Sequence, residues 1–173
     1  LQAKDRRFEE AVLPHLDAAY NLARWLMRNE TEAQDAVQDA CLRALRFVGG
    51  LRDEDGRRWL LKIVRNCCYS RLQKTELHQH ETEFDDGLHS PEPQQFDPEV
   101  LLANLRDGAA LRQAIEALPP EFREVIVMRE LEGLSYKAIA EIIEAPIGTV
   151  MSRLARARRR MQCSLASLRT GEP

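Results

Sequence analysis

The chemically best-equipped part of this chain is a set of arginines on a short helical repeat. In the stretch 134–154, an apolar pattern through Ile139, Ala140 and Ile143 leads to Glu144-Ala145-Pro146 and then to Thr149, Val150, Met151, Ser152, Arg153 and Leu154. Ser135 is placed to cap a short helix, Pro146 to break it and Thr149 to open a second, so the spacing predicts a helix-turn-helix. Small Ala140 allows the two helices to approach closely. With Val150 and Leu154 turned inward, Met151, Ser152, Ala155 and Arg156 share the outward face, within reach of base edges in a DNA groove. Arg153, Arg158, Arg159 and Arg160 flank that face and suit phosphates. Thr149 and the amides at the helix start suit one more. A helical hairpin that merely carries arginines is the plainer alternative; turn, cap, small residue and charge agree better with nucleic acid.

A second basic block supports the same chemistry. Arg57, Arg58, Lys62, Arg65, Arg71 and Lys74 occur with no acid among them, as do Arg153, Arg156, Arg158, Arg159, Arg160 and Arg169 near the other end. The net charge of −3 hides this segregation. Eight of the 28 acidic residues lie between Thr75 and Val100, a stretch without Lys or Arg, which leaves 20 acids against 25 Lys and Arg elsewhere. Two basic blocks separated by an acidic bridge suggest two contacts with a polyanion.

The elements that must carry these blocks are helices. Leu, Ala, Arg and Glu dominate and aromatics are only 6%, a composition that favours helix over strand. We read an all-α chain of two small helical domains, 1–75 and 97–173, joined by a flexible acidic linker at 76–96 whose Gly87, Ser90, Pro91 and Pro93 keep company with few aliphatic residues. Phe8, Val12, Leu16, Ala19, Ala23 and Leu26 predict one amphipathic face in the first domain. Thr31 and Gln34 fit a capping box opening the next helix, with Val37, Cys41, Ala44, Leu45 and Val48 inward and Gly49-Gly50 as its stop. A third helix is predicted over 57–73, with Leu60, Ile63, Val64, Cys67 and Leu72 inward. The second domain opens at Asp97-Pro98 with a stripe through Leu101, Leu102, Leu105, Leu111, Ile115 and Leu118. Pro119-Pro120 starts a further helix through Phe122, Val125, Ile126 and Leu131, which Gly133 ends.

The remaining composition narrows the classes. A chain of 173 residues and 19.8 kDa holds one domain or two small ones. No apolar run reaches the roughly 18–20 residues of a membrane span, so no membrane insertion is expected. The first residues do not resemble a signal peptide, and four cysteines without one suggest reduced thiols and a cytoplasmic protein. Cys67-Cys68 with His78, His80 and His89 matches no metal-ligand spacing, and Cys41, Cys67 and Cys163 read as packing residues. There is no Ser-His-Asp set, glycine-rich phosphate loop or supported carboxylate pair, so neither catalysis nor a cofactor is expected.

At this point the sequence resembles a known family. Residues 134–161 resemble region 4.2 of the extracytoplasmic-function (group 4) sigma factors of bacterial RNA polymerase. Asp35-Ala36-Val37-Gln38-Asp39-Ala40-Cys41-Leu42-Arg43-Ala44 resembles their region 2.2, Trp59-Leu60-Leu61-Lys62-Ile63-Val64-Arg65-Asn66 their region 2.3–2.4, and Leu118-Pro119-Pro120-Glu121-Phe122-Arg123-Glu124-Val125 the start of region 4.1. The match covers nearly the whole chain in the right order.

The resemblance implies a non-enzymatic factor that binds core RNA polymerase and selects promoter DNA. Asp35, Gln38, Asp39 and Arg43 would meet the β′ clamp coiled coil, and the second domain the β-flap. Arg43, Trp59, Lys62, Arg65 and Asn66 would read the −10 element. Asn66 falls where the family contacts an extruded base, and the 49–56 loop would shape its pocket. Trp59 also suits a core position. Thr149, Met151, Ser152, Arg153, Ala155, Arg156, Arg158 and Arg159 would serve the −35 element, with Ser152 and Arg156 nearest the bases and Met151 and Ala155 suited to apolar or shape readout. The resemblance further implies little self-inhibition, the brake being an anti-sigma factor. The rival reading is a conventional helix-turn-helix regulator, which predicts tight duplex binding by the free protein at palindromic half-sites.

Overall fold

The computed structural model describes residues 2–52, 55–80 and 108–170, and among them the chain is helical with no strand. In chain order the helices are α1 (Gln2–Ala11), α2 (Leu16–Met27), α3 (Glu30–Phe47), α4 (Gly56–His80), α5 (Gly108–Glu116), α6 (Pro120–Ile126), α7 (Tyr136–Ile143) and α8 (Ile147–Thr170). The proposed helix start at Asp97-Pro98, the stripe through Leu101, Leu102 and Leu105, and linker residues 81–96 lie outside the described residues.

The first unit is built by α2, α3 and α4 packing on one another. The single face predicted from Phe8 to Leu26 is broken in two. Pro14 brings a 3-10 turn at Leu13–His15, and α2 starts afresh at Leu16. Arg28 then takes a left-handed conformation (φ 58°) that closes α2. Asn29 rather than Thr31 caps α3, its side chain accepting from the Glu32 amide at 3.0 Å. Asn29 is the residue left in extended backbone by the left-handed turn, so the cap register is set by where α2 ends.

The inward face of α3 also differs from the predicted one. Ala33, Ala36, Ala40 and Ala44 are fully buried, Val37 and Cys41 are half-buried, and Leu45 is 38% exposed. Side-chain size misled the sequence reading: α2 and α4 both press on α3, and only alanine fits where helices come so close. The displaced large residues Leu42 (67% exposed), Leu45 and Phe47 (61%) line the outer face.

Helix α4 buries Leu60, Leu61, Val64, Cys67 and Cys68, while Ile63 and Leu72 are half-buried. It runs through His80, beyond the expected end at Gln73 and into the stretch read as linker. Its first residue, Gly56, touches the end of α1; a Cβ there would collide with the Ala11 carbonyl oxygen.

The second unit packs α5, α6 and α7 on the long α8. Pro119 precedes α6 with Pro120 at its first turn, and α6 passes into a π-helical turn at Val127–Leu131. Gly133 follows in positive φ (66°), a conformation glycine adopts without strain. Ser135 caps α7, accepting from the Ala138 amide at 3.1 Å. Glu144 is left-handed (φ 54°) and makes the turn before Pro146 and α8. Ile139, Ala140, Ile143, Val150 and Leu154 are buried, as the helix-turn-helix pattern requires.

The two units are in contact. Helix α4 lies against α7, and α2 against α6.

Candidate nucleic-acid interface

The reading face of α8 is open. Met151 (53% exposed), Ser152, Ala155, Arg156 and Arg159 project into solvent, and Thr149 is half-buried. The Ser152 hydroxyl donates to the Thr149 carbonyl oxygen at 3.1 Å, holding it at the helix start. Three of the four flanking arginines read as suiting phosphates have partners within the protein. Arg153 turns back to within 3.8 Å of Glu124. Arg158 pairs with Glu130 at 2.6 Å, and the hydrogen bond and charge of Glu130 outweigh burial to hold its guanidinium above the usual value. Arg160 lies 4.9 Å from the centre of the Phe122 ring.

The second basic block lies along α4. Trp59, Lys62 and Asn66 line one side of a cleft together with Arg58 and Ile63, and Glu141 of the second unit lines the other. Asn66 is exposed and Trp59 half-buried against the core. Arg43 projects from α3 into solvent and does not line this cleft. Residues 53 and 54 of the preceding loop lie outside the described residues.

The α4 cations are engaged by carboxylates of the second unit. Arg57 Nη2 donates to the Glu132 carbonyl oxygen at 2.7 Å and to its carboxylate at 2.8 Å, and Asn21 holds the other carboxylate oxygen at 2.6 Å. Arg58 meets Glu141 at 2.7 Å, and Lys62 meets Glu144 at 2.8 Å. Arg65 grips Glu124 side-on, Nε to Oε2 at 2.6 Å and Nη2 to Oε1 at 3.1 Å, with its guanidinium 4.3 Å from the centre of the Tyr69 ring. Glu124 is fully buried. Burial pushes its carboxyl above the ordinary range, against the opposing hydrogen bonds and charge of Arg65. Exposed Glu144, by contrast, is held below that range by its Lys62 partner.

Neighbouring Arg123 ties the units together by another route. It is 4% exposed, and it donates to the carbonyl oxygens of Trp25 (3.0 Å) and Leu26 (3.2 Å) in the first unit and of Glu116 (3.3 Å) and Leu118 (2.6 Å) in its own. These oxygens lie at the ends of α2 and α5, where helix carbonyls lack partners. Burial lowers the Arg123 pKa, and nearby Arg28 adds to that.

On the α3 side, Arg71 of α4 pairs with Asp39 (2.6 Å) and Glu32 (3.2 Å) and reaches Asp35 at 4.0 Å. Asp35 and Asp39 are therefore oriented acids on the outer surface, with Gln38 and Arg43 exposed on the same helix. Among the described residues, no group of three or more His, Cys, Asp or Glu side chains is arranged to hold a metal ion. His89 lies outside those residues.

Comparison with known proteins fits this arrangement. Residues 11–77 match the family model for sigma-70 region 2, and residues 108–161 match that for sigma-70 region 4. The RNA polymerase sigma-H factor of Pseudomonas aeruginosa is 30% identical over 177 residues, covering 97% of this chain and 91% of that protein. The ECF RNA polymerase sigma factor SigM of Mycobacterium tuberculosis is 32% identical over 165 residues, covering 95% of this chain and 80% of that protein. The chain belongs to the extracytoplasmic-function sigma factors of the sigma-70 family. The ECF RNA polymerase sigma factor SigE of Mycolicibacterium smegmatis is also similar, at 32% identity over 95% of this chain; the chain spans 64% of that protein's length. Among solved structures, the sigma factor RpoE in complex with the anti-sigma factor NepR from Bartonella quintana aligns with a TM-score of 0.71 at 27% identity, covering 92% of this chain and 96% of that one. CnrH in complex with the cytosolic domain of CnrY shares the fold, with a TM-score of 0.62 at 24% identity, covering 98% and 91%.

Two features of this sigma factor escaped the sequence reading. One is the set of second-unit carboxylates that face α4. Glu124 and Arg65 are 59 positions apart, and no local pattern joins them. The available hint is that Arg123 and Glu124 interrupt the apolar run from Phe122 to Met128, in which every residue is buried. The other is the Leu42–Phe47 surface, which the alanine spacing 33, 36, 40, 44 would have predicted had it been taken as the core stripe.

Proposed function

We propose that this chain is an alternative sigma factor that binds core RNA polymerase and directs promoter-specific initiation, under the control of an anti-sigma factor. The carrying observation is that a cationic α4 face with an exposed Asn66 and, after it, an open helix-turn-helix face lie in one chain, in the order of sigma regions 2 and 4. Arg156 and Ser152 read bases of a −35 element in the major groove, with Thr149, Arg153, Arg158 and Arg159 on the backbone and Met151 and Ala155 giving apolar contact. Arg43, Trp59, Lys62, Arg65 and Asn66 hold the non-template strand at −10, where a base flips more readily once the duplex is opening. Asp35, Gln38, Asp39 and Arg43, beside the apolar Leu42, Leu45 and Phe47, form the surface for the β′ clamp coiled coil, while the second unit binds the β-flap. The anti-sigma control is inferred from the similar RpoE, solved in complex with the anti-sigma factor NepR. The protein performs no catalysis itself, and its place of action is the cytoplasm, where the polymerase is; no described helix is long and apolar enough to cross a membrane.

The test is run-off transcription from fragmented genomic DNA with purified core polymerase, with and without this protein, mapping RNA 5′ ends. New starts sharing two upstream elements at fixed spacing are expected. Absence of core binding would instead favour a conventional helix-turn-helix regulator. Asn66→Ala should impair promoter opening more than core binding, and equal loss of both would remove its assigned role.

A further inference from the structure

We propose that the cleft between α2 and α5 binds a nucleoside phosphate, with Trp25 stacking on the base and Arg24, Arg28 and Arg112 holding the phosphate. The cleft has a volume of about 580 Å³, the scale of small-molecule sites. One wall is a single face of α2. Asp17, Tyr20 and Arg24 follow one another along it at three- and four-residue spacing, Arg28 at the helix cap continues the row, and Trp25 stands beside it. The opposite wall is α5, where Arg112 and Glu116 lie one turn apart. Leu131, 46% exposed, adds an apolar edge. The site depends on none of the DNA contacts proposed above.

The three arginines are available to an anion. Arg57, Arg58, Lys62 and Arg65 each meet a carboxylate, whereas among the described residues Arg24, Arg28 and Arg112 form no ion pair. Buried Arg123 adds charge behind the cleft. It donates to the carbonyl oxygens of two lining residues, Trp25 and Glu116. Its pKa is lowered by burial first and then by Arg28, so these two cations stand near one another. Cations gathered in a cleft raise a positive potential that an anion relieves, and the guanidinium fork matches phosphate oxygens. Trp25 is half-buried and packs against the core. The Arg112 guanidinium is 6.0 Å from its ring centre, against 4.3, 4.6 and 4.9 Å for Arg65, Arg129 and Arg160 over their rings. Arg112 thus does not cover the Trp25 face at close contact, and base–aromatic stacking accepts any base. Asp17 lies eleven residues from Arg28, roughly 16 Å along the helix at 1.5 Å per residue. Acid and arginines therefore occupy opposite ends of the row, where a carboxylate accepts from a base amino group or ribose hydroxyl. Asp17 and Glu116 also repel the further phosphates of a continuing strand, which favours a free nucleotide.

The test titrates the full chain with ADP and GDP by calorimetry, and with adenosine and pyrophosphate as the separate halves of the ligand. W59F leaves Trp25 as the one tryptophan, so its fluorescence reports on the cleft directly. Two double variants each remove two exposed arginines, R24Q/R112Q at the cleft and R6Q/R46Q away from it, and circular dichroism verifies their folding. We expect both nucleotides to bind with a saturable quench of Trp25. Adenosine and pyrophosphate should each bind at least tenfold more weakly. R24Q/R112Q should weaken nucleotide binding at least tenfold, and R6Q/R46Q should leave it unchanged. Failure of both nucleotides to bind the unaltered chain would overturn the site. Equal loss in the two double variants would overturn it as well, reducing it to attraction by overall charge. Pyrophosphate binding as tightly as ADP would remove the base from Trp25 and with it the nucleotide class. Displacement of ADP by a mixed-sequence single-stranded 20-mer at lower concentration than ADP itself would overturn the free nucleotide and give the cleft to nucleic acid.

Discussion

Glu124 and the cysteines show how far a residue's surroundings set its chemistry. The Glu124 carboxyl lies in the contact between units, where burial raises its pKa further than the hydrogen bonds and charge of Arg65 and the charge of Arg153 lower it. At the thiols of α4 burial likewise outweighs the charge of nearby arginines, Arg43 and Arg71 at Cys67 and Arg71 at Cys68. Burial raises the pKa of Cys41 and Cys67, and that of Cys68 is pushed up to about 12. A thiol is nucleophilic only as thiolate, so vicinal Cys67-Cys68 should be inert in the folded protein. With Ellman's reagent at pH 8, exposed Cys163 should react rapidly, half-exposed Cys41 slowly, and Cys67 and Cys68 only after denaturant is added. Rapid release of all four equivalents without denaturant would show that α4 does not shield its thiols.

At the scale of the element, α3 divides its residues by size in a way that invites paired substitutions. Ala40→Leu would force a large side chain between closely packed helices and should destabilise the protein by about 1–3 kcal/mol. Leu42→Ser, on the outer face, should change stability by less than about 0.5 kcal/mol while weakening binding to core polymerase. Urea denaturation of both variants with a core pull-down separates the effects, and a large stability loss for Leu42→Ser would place that residue in the core. Helix α4 supplies a third substitution. Gly56→Ala puts a Cβ into the Ala11 backbone, which cannot swing aside as a side chain can. We expect a loss of about 1–3 kcal/mol by the same overpacking argument, read as a lower urea midpoint with unchanged slope.

At the scale of the whole molecule, Arg123 couples the units. Its guanidinium satisfies carbonyl oxygens in both. Arg123→Met keeps much of the volume and removes all of those donors. It should cost about 3 kcal/mol, since hydrogen bonds to a charged group are strong and the buried acceptors are left unpaired. The cost should fall on the contact between units as well as on α5, so calorimetry should resolve two transitions in the variant where the parent shows more cooperative melting. A single transition merely shifted downward would mean that the other interunit pairs suffice to couple them.

After such tests the division between what sequence and tertiary structure each contribute is plain. The helix-turn-helix was legible because its determinants are local: Ser135 caps α7 through the amide three residues on, Pro119-Pro120 opens α6, and the period of Ile139, Ile143, Val150 and Leu154 marks one buried face. The basic face of α4 and the family itself were legible for the same reason, since both are written in contiguous residues. Pro14 did not read as a break because the apolar period continues across it, and Asn29 did not read as a cap because the end of α2 chooses the register. The alanine core of α3 depends on how near its neighbours come, a distance that the sequence of α3 does not contain. The carboxylates facing α4 depend on residues as far apart as Arg57 and Glu132 meeting across two units. The sequence by itself determined which residues could meet DNA; only the tertiary structure decided which of them now meet carboxylates instead, because an ion pair is a matter of distance in space and a motif only of distance along the chain.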